Sequence, residues 1–211
     1  LGSSGALVAA IYDKYAKHKI KGYLKKHIIV LKNIFSKMES FFHGISSGID
    51  PLICYLNKPL LIRSKTDISI TKIPNNNKGK GAIFLLNSGI PRKTNSMMKF
   101  FLKKLKHDKF RKIFFVEFIK YNEKCIEAFL KKDFKILLKN VKLLSTWIFN
   151  HFRPMISKNF YKIWKDGIFN NMYYLKLCGS GGGGFFLGFT QNYDLSQKKL
   201  KKYTIKVLFR F

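Results

Sequence analysis

Five of the six residues from Gly179 to Gly184 are glycine, and they lie between two apolar runs, Tyr173 to Leu177 and Phe185 to Phe189. A two-residue hairpin needs one or two such residues, and every further glycine held in place costs roughly 0.5–1 kcal/mol against alanine. So dense a loop is explained if something presses against its main chain, either a phosphate or a second phosphate-binding loop. The strands that flank it argue against a flexible linker.

The remainder of the chain alternates irregularly between helical and extended patterns. Residues 6–20 and 22–42 read as helices, the second with an apolar stripe at Leu24, Ile28, Leu31, Phe35, Met38 and Phe42. A loop and short helix follow over 44–56, then strand-like runs at 60–63 and 68–73. The stretch from Pro74 to Gly81, rich in turn formers and without an apolar residue before Ala82, marks a boundary, so the expected domains are 1–78 and 79–211. In the second, 82–86 reads as a buried strand, and a helix carries Met97, Phe101 and Leu105. One long helix over 110–130 and another from an Asp133 cap through Ile148 precede the glycine loop, and a last strand covers 203–209. This order predicts an α+β fold with helices on one face of a mainly antiparallel sheet.

Composition narrows the function classes. Lys and Arg total 41 against 11 acids, a formal charge of +30, which would ordinarily suggest nucleic acid or an anionic membrane. Only five of the 41 are arginine, however, and the lysines are scattered among many Ile, Asn, Phe and Tyr, a mixture expected of an AT-rich genome. On the helix after Asp133, Lys135, Lys139 and Lys142 simply occupy the polar side. Nucleic acid is therefore disfavoured. No apolar run approaches the roughly 20 residues that span a bilayer, and no signal peptide is evident, so no membrane and a cytoplasmic location are expected. Cys54, Cys125 and Cys178 are too few and too widely spaced for a disulfide framework or a CxxC metal site. His18, His27, His107 and His151 have no metal-ligand spacing.

Two further segments carry chemistry. Leu1-Gly2-Ser3-Ser4-Gly5-Ala6 is a glycine-serine loop entering a helix, where unpaired N–H groups and the helix dipole favour phosphate; it is not a Walker A loop, since no GKS or GKT follows. Glu39 falls eleven positions after Ile28, almost directly over it, inside the apolar arc of its own helix. A carboxylate there needs compensation, which a divalent cation bound with phosphate oxygens would provide. Shortly after it comes His43-Gly44-Ile45-Ser46-Ser47-Gly48-Ile49-Asp50, a small-residue loop that ends on a second acid at a helix start. A helix-edge Glu and a capping Asp are the simpler readings of the same two residues.

In their order and spacing these segments resemble the second and third motifs of the GHMP kinases, the superfamily of galactokinase and of homoserine, mevalonate and phosphomevalonate kinases. Through His43 to Leu52, Gly89-Ile90-Pro91-Arg92-Lys93-Thr94 and Lys176 to Gly184, the chain is most similar to mevalonate kinases of a Bacteroidetes-like type. The resemblance implies a two-lobed GHMP kinase fold, with a truncated N-terminal lobe and a ferredoxin-like C-terminal lobe. It implies ATP-dependent phosphorylation of a small alcohol, in first place mevalonate, with ATP and Mg2+ as cofactors. Gly2, Ser3, Ser4, Gly5 and Ala6, with Gly179, Gly181 and Gly182, would bind the nucleotide. Ser4 and Glu39 would hold Mg2+, Asp50 would act as the base, and His43, Ser47, Arg92 and Thr94 would lie on the substrate side. Gly5 and Ser180 stand where many members have Ala.

The family's first motif, which in mevalonate kinases supplies a catalytic lysine, would lie before Leu1. The chain is accordingly expected to be a piece of a longer protein. A remnant without turnover, or a relative acting on phosphomevalonate or homoserine, is the alternative, and a homodimer is left open.

Overall fold

The computed structural model describes residues 3–20, 22–91 and 94–211, and for His43, Thr94 and Asn95 the backbone alone. It is an α+β structure of two compact units, residues 1–73 and 74–211.

The first unit packs three helices, α1 (Ser3–Tyr15), α2 (Lys25–His43) and α3 (Ile49–Leu56), against one another and against an antiparallel hairpin of β1 (Leu60–Ile62) and β2 (Ile68–Ile70). Its core is Val8, Tyr12, Ile28, Leu31, Phe35, Leu52, Leu56 and Ile68. Only the middle of the expected α2 stripe is buried. Leu24 and Phe42, at its two ends, are exposed, because the partner helices cover the centre of α2 and not its tips. The first helix also stops at Tyr15 rather than near residue 20. Beyond it the Ile20 N–H donates to Tyr12 Oη at 3.1 Å, which folds the chain back on α1.

The second unit is built on a four-stranded antiparallel sheet in the order β4 (Tyr174–Leu177), β5 (Phe185–Thr190), β3 (Ala82–Asn87), β6 (Ile205–Arg210). Helices fill the β3–β4 and β5–β6 connections, so the chain runs β-α-β-β-α-β, the ferredoxin-like arrangement. The first crossover holds α4 (Thr94–Leu105), α5 (Asp108–Ile113), α6 (Lys120–Leu130), α7 (Phe134–His151) and α8 (Tyr161–Phe169); the second holds α9 (Tyr193–Lys199). The helix expected over 110–130 is interrupted by a π-helical turn at Phe114–Ile119, which stacks the rings of Phe114 and Phe118 at 4.9 Å. α8 and α9 were not expected from the sequence pattern. No helix among the described residues is long and apolar enough to cross a membrane.

The two units divide at Ile73/Pro74, not after Lys78. Pro74 is buried, the Asn77 N–H donates to the Arg210 carbonyl at 3.2 Å, and the Arg210 N–H donates to Asn76 Oδ1. The turn-forming segment thus belongs to the last strand of the second unit.

Asp133 caps α7 as expected, its carboxylate accepting from the Ile136 N–H at 2.9 Å. Replacing it with alanine removes that acceptor and should destabilise the second unit by about 1 kcal/mol. Thermal unfolding of Asp133→Ala against the parent checks this.

Candidate active site

The first turn of α1 meets both acids singled out in the sequence. Ser4 Oγ donates to Glu39 Oε1 at 3.1 Å, while Gly5, the next residue, lies against Asp50. A Cβ on Gly5 would be 2.9 Å from Asp50 Cβ and from the Pro51 nitrogen. Consecutive residues of one helical turn therefore touch Glu39 on α2 and Asp50 on α3. Gly5 is what lets α1 and α3 approach so closely. The alanine common in the resembling family does not fit in this packing unless the backbone shifts.

Glu39 is buried, 6% exposed, as its place in the apolar arc of α2 requires. Its second oxygen accepts a hydrogen bond from Ser46 Oγ. Two hydroxyl donors thus offset part of the cost of burying the carboxylate. Ser46 had no role in the sequence reading. Its neighbour Ser47, expected on the substrate side, is exposed and accepts from the Ile49 N–H at 3.3 Å in a local turn ahead of α3.

The loop between α2 and α3 is clamped onto α2. Ser36 Oγ donates to the Ser46 carbonyl at 2.6 Å, the Ser46 N–H donates to Ser40 Oγ at 3.2 Å, and the Gly48 N–H donates to Ser46 Oγ at 3.0 Å. This network holds Ser46 against Glu39 and delivers the chain to Asp50. Asp50 is exposed in the first turn of α3, and among the described residues its carboxylate makes no hydrogen bond or ion pair. It is available to an incoming hydroxyl.

Ser4 Oγ and Glu39 Oε1 are the oxygen pair that a small hard cation would use. Mg2+ takes oxygen ligands at about 2.0–2.1 Å in an octahedron, so adjacent ligands stand about 3 Å apart. The 3.1 Å between Ser4 Oγ and Glu39 Oε1 is the length of the hydrogen bond they share and is also close to that spacing. Mg2+ also usually keeps waters and substrate phosphates in its shell, so one carboxylate and one hydroxyl suffice from the protein. Among the described residues there is no cluster of three or more His, Cys, Asp or Glu.

The other expected nucleotide-binding residues divide. Ser3 and Ala6 are exposed on the first turn of α1. Gly2 and Arg92 lie outside the described residues, as do the side chains of His43 and Thr94; Thr94 opens α4.

In the second unit, Gly179, Gly181, Gly182, Gly183 and Gly184 all have positive φ. What presses on this loop is its own chain. A Cβ on Gly183 would sit 2.4 Å from the Pro91 carbonyl oxygen, and one on Gly181 would sit 2.6 Å from that of Met155. The Gly182 N–H donates to the Met155 carbonyl at 2.7 Å, and the Gly184 N–H donates to that of Ile90 at 2.8 Å. The Gly182 amide is therefore committed within the protein. The glycines seat the loop on the Ser88–Pro91 turn and on Met155.

No family model matches the chain, and no curated protein does. Among solved structures it is similar to the crystal structure of a Lin0012 protein from Listeria innocua, with a TM-score of 0.64 and 16% identity over 97% of this chain. The chain spans 66% of that protein's length. The likeness is one of fold.

Proposed function

We propose that this chain belongs to a GHMP-type kinase that transfers the γ-phosphate of ATP to the hydroxyl of a small alcohol, with mevalonate as the first substrate to test. The observation that supports it is the meeting of Ser4 and Gly5, adjacent on one helical turn, with the buried Glu39 and the exposed Asp50. Phosphoryl transfer needs little covalent help from a protein. Positioning, amide donors, a neutralising charge and one carboxylate at the acceptor account for most of the rate.

In this reading the α1 N-terminus receives the phosphates through its unpaired N–H groups and its dipole. Ser4 and Glu39 would hold Mg2+, which would supply positive charge to neutralise the triphosphate tail. Asp50 accepts the hydrogen bond of the acceptor hydroxyl and takes its proton as the new bond from that oxygen to Pγ forms and the bond from Pγ to the β–γ bridging oxygen breaks, releasing ADP. A cytoplasmic location goes with such a role.

The test is Mg·ATP-dependent phosphorylation of mevalonate, phosphomevalonate and homoserine by the natural protein that carries this sequence. Turnover of mevalonate alone supports the full reading, and preference for another alcohol moves it within the family. The alternative, a fold kept without turnover, is favoured by one observation: both oxygens of Glu39 already have hydroxyl donors. ATP binding with no transfer to any of the three alcohols would establish it.

Glu39→Gln provides a separate check. It keeps the shape and removes the charge, so the Mg2+ concentration for half-maximal activity should rise at least about tenfold. A Mg2+ titration at saturating ATP measures this.

A further inference from the structure

The second unit contains a cavity of about 340 Å³, walled by Phe101, Phe114, Phe118, Phe152 and Met98, with Lys176 in its lining. The π-helical turn places two of these rings, Phe114 and Phe118, and such turns recur where helices serve a function. Lys176 is the one charged group among the described lining residues, on a β4 whose other three positions are buried.

Its ammonium donates to the Leu177 carbonyl at a long 3.5 Å, and no carboxylate among the described residues forms an ion pair with it. Burial lowers its pKa, an effect only partly opposed by the nearby Cys178 and Cys125. The Cys125 thiol is itself pushed up to about 12 by burial, so near neutral pH it carries no charge to balance the lysine. A cation on an apolar wall without a counter-charge is costly, and an anion entering the cavity would relieve that cost.

We propose that this cavity binds an aliphatic monocarboxylate of about ten carbons, its chain against the phenylalanines and its carboxylate on Lys176 Nζ. The volume suits such a molecule. At about 30 Å³ for a water-sized group, 340 Å³ holds about eleven of them, and decanoate has a comparable number of heavy atoms. A single lysine matches one carboxylate, whereas a phosphate or diphosphate head would call for several cationic or N–H donors. Ser180, which also lines the cavity, can add a hydroxyl donor. The proposal requires neither ATP nor Asp50, although Gly179, expected on the nucleotide side, also lies in the lining.

Isothermal titration calorimetry of the intact protein tests it, with decanoate, hexanoate and methyl decanoate as probes. Decanoate should bind at least about fiftyfold more tightly than hexanoate, since each methylene buried is worth roughly a fourfold gain. It should also bind at least tenfold more tightly than the uncharged ester. Lys176→Met should erase the preference for acid over ester while leaving ester binding in place. Met98→Trp, at a position 41% exposed and so tolerant of a larger ring, should fill the cavity and weaken both ligands at least tenfold. It keeps the test decisive if the lysine variant does not fold, with circular dichroism confirming the fold of each variant. Equal binding of decanoate and its ester to the parent protein would overturn the proposal, as would decanoate binding untouched by Met98→Trp.

Discussion

If the proposed kinase reading holds, replacing Asp50 with alanine should lower phosphoryl transfer by about 10³-fold or more while leaving the fold nearly intact. The two effects separate because of where the residue sits. Asp50 is exposed in the first turn of α3, and among the described residues its carboxylate has no partner that would be orphaned. Its contribution to stability is that of an acid near a helix N-terminus, about 0.3–1 kcal/mol. A positioned base contributes typically about 10²–10⁴-fold to rate. Steady-state kinetics with saturating Mg·ATP and alcohol, beside a thermal unfolding curve, measure both. Full activity in Asp50→Ala would remove the base from the proposed mechanism. A collapse in stability would mean that the loss of activity says nothing about chemistry.

The second large effect is structural. Gly48→Ala should destabilise the first unit by about 2–5 kcal/mol, of which the left-handed backbone accounts for about 1–2 and the collision for the remainder. Gly48 has φ 72°, and a Cβ there would lie 2.2 Å from the Lys32 carbonyl oxygen and 2.6 Å from the Ser36 nitrogen. Both are backbone atoms of α2, so no rotamer change relieves the overlap. The loop must lift away from α2. That breaks the 2.6 Å bond from Ser36 Oγ to the Ser46 carbonyl and draws Ser46 off Glu39. In the first unit, of residues 1–73, a loss of this size lowers Tm by about 10 °C or more. Scanning calorimetry of the variant reads it, and a Tm unchanged within about 2 °C would contradict the packing of this loop.

Local patterns made a good part of this fold legible. The Asp133 cap, the buried centre of the second helix and the alternation of strands with helices each arise from neighbours a few positions apart. The same is true of Glu39, since a 100° step per residue is enough to place it among apolar side chains. α9 also has a local signal, Asn192, which accepts from the Leu195 N–H at 3.2 Å. The π-helical turn at Phe114 had none, because an extra residue in one helical turn leaves the apolar spacing on either side almost unchanged.

The sequence by itself determined that an acid would be buried in the first unit and that the main chain would be approached closely at Gly179 to Gly184. Both follow from the properties of single residues: the phase of a helix and the missing Cβ of glycine. Only the tertiary structure decided what answers them. Ser4 and Ser46 are 35 and 7 positions from Glu39, and the carbonyls of Met155, Ile90 and Pro91 that meet the glycine loop come from distant turns. Lys176 likewise gains its meaning from phenylalanines on three other segments. Periodicity reports which way a side chain points, whereas the identity of its partner depends on chain crossings that no local pattern encodes.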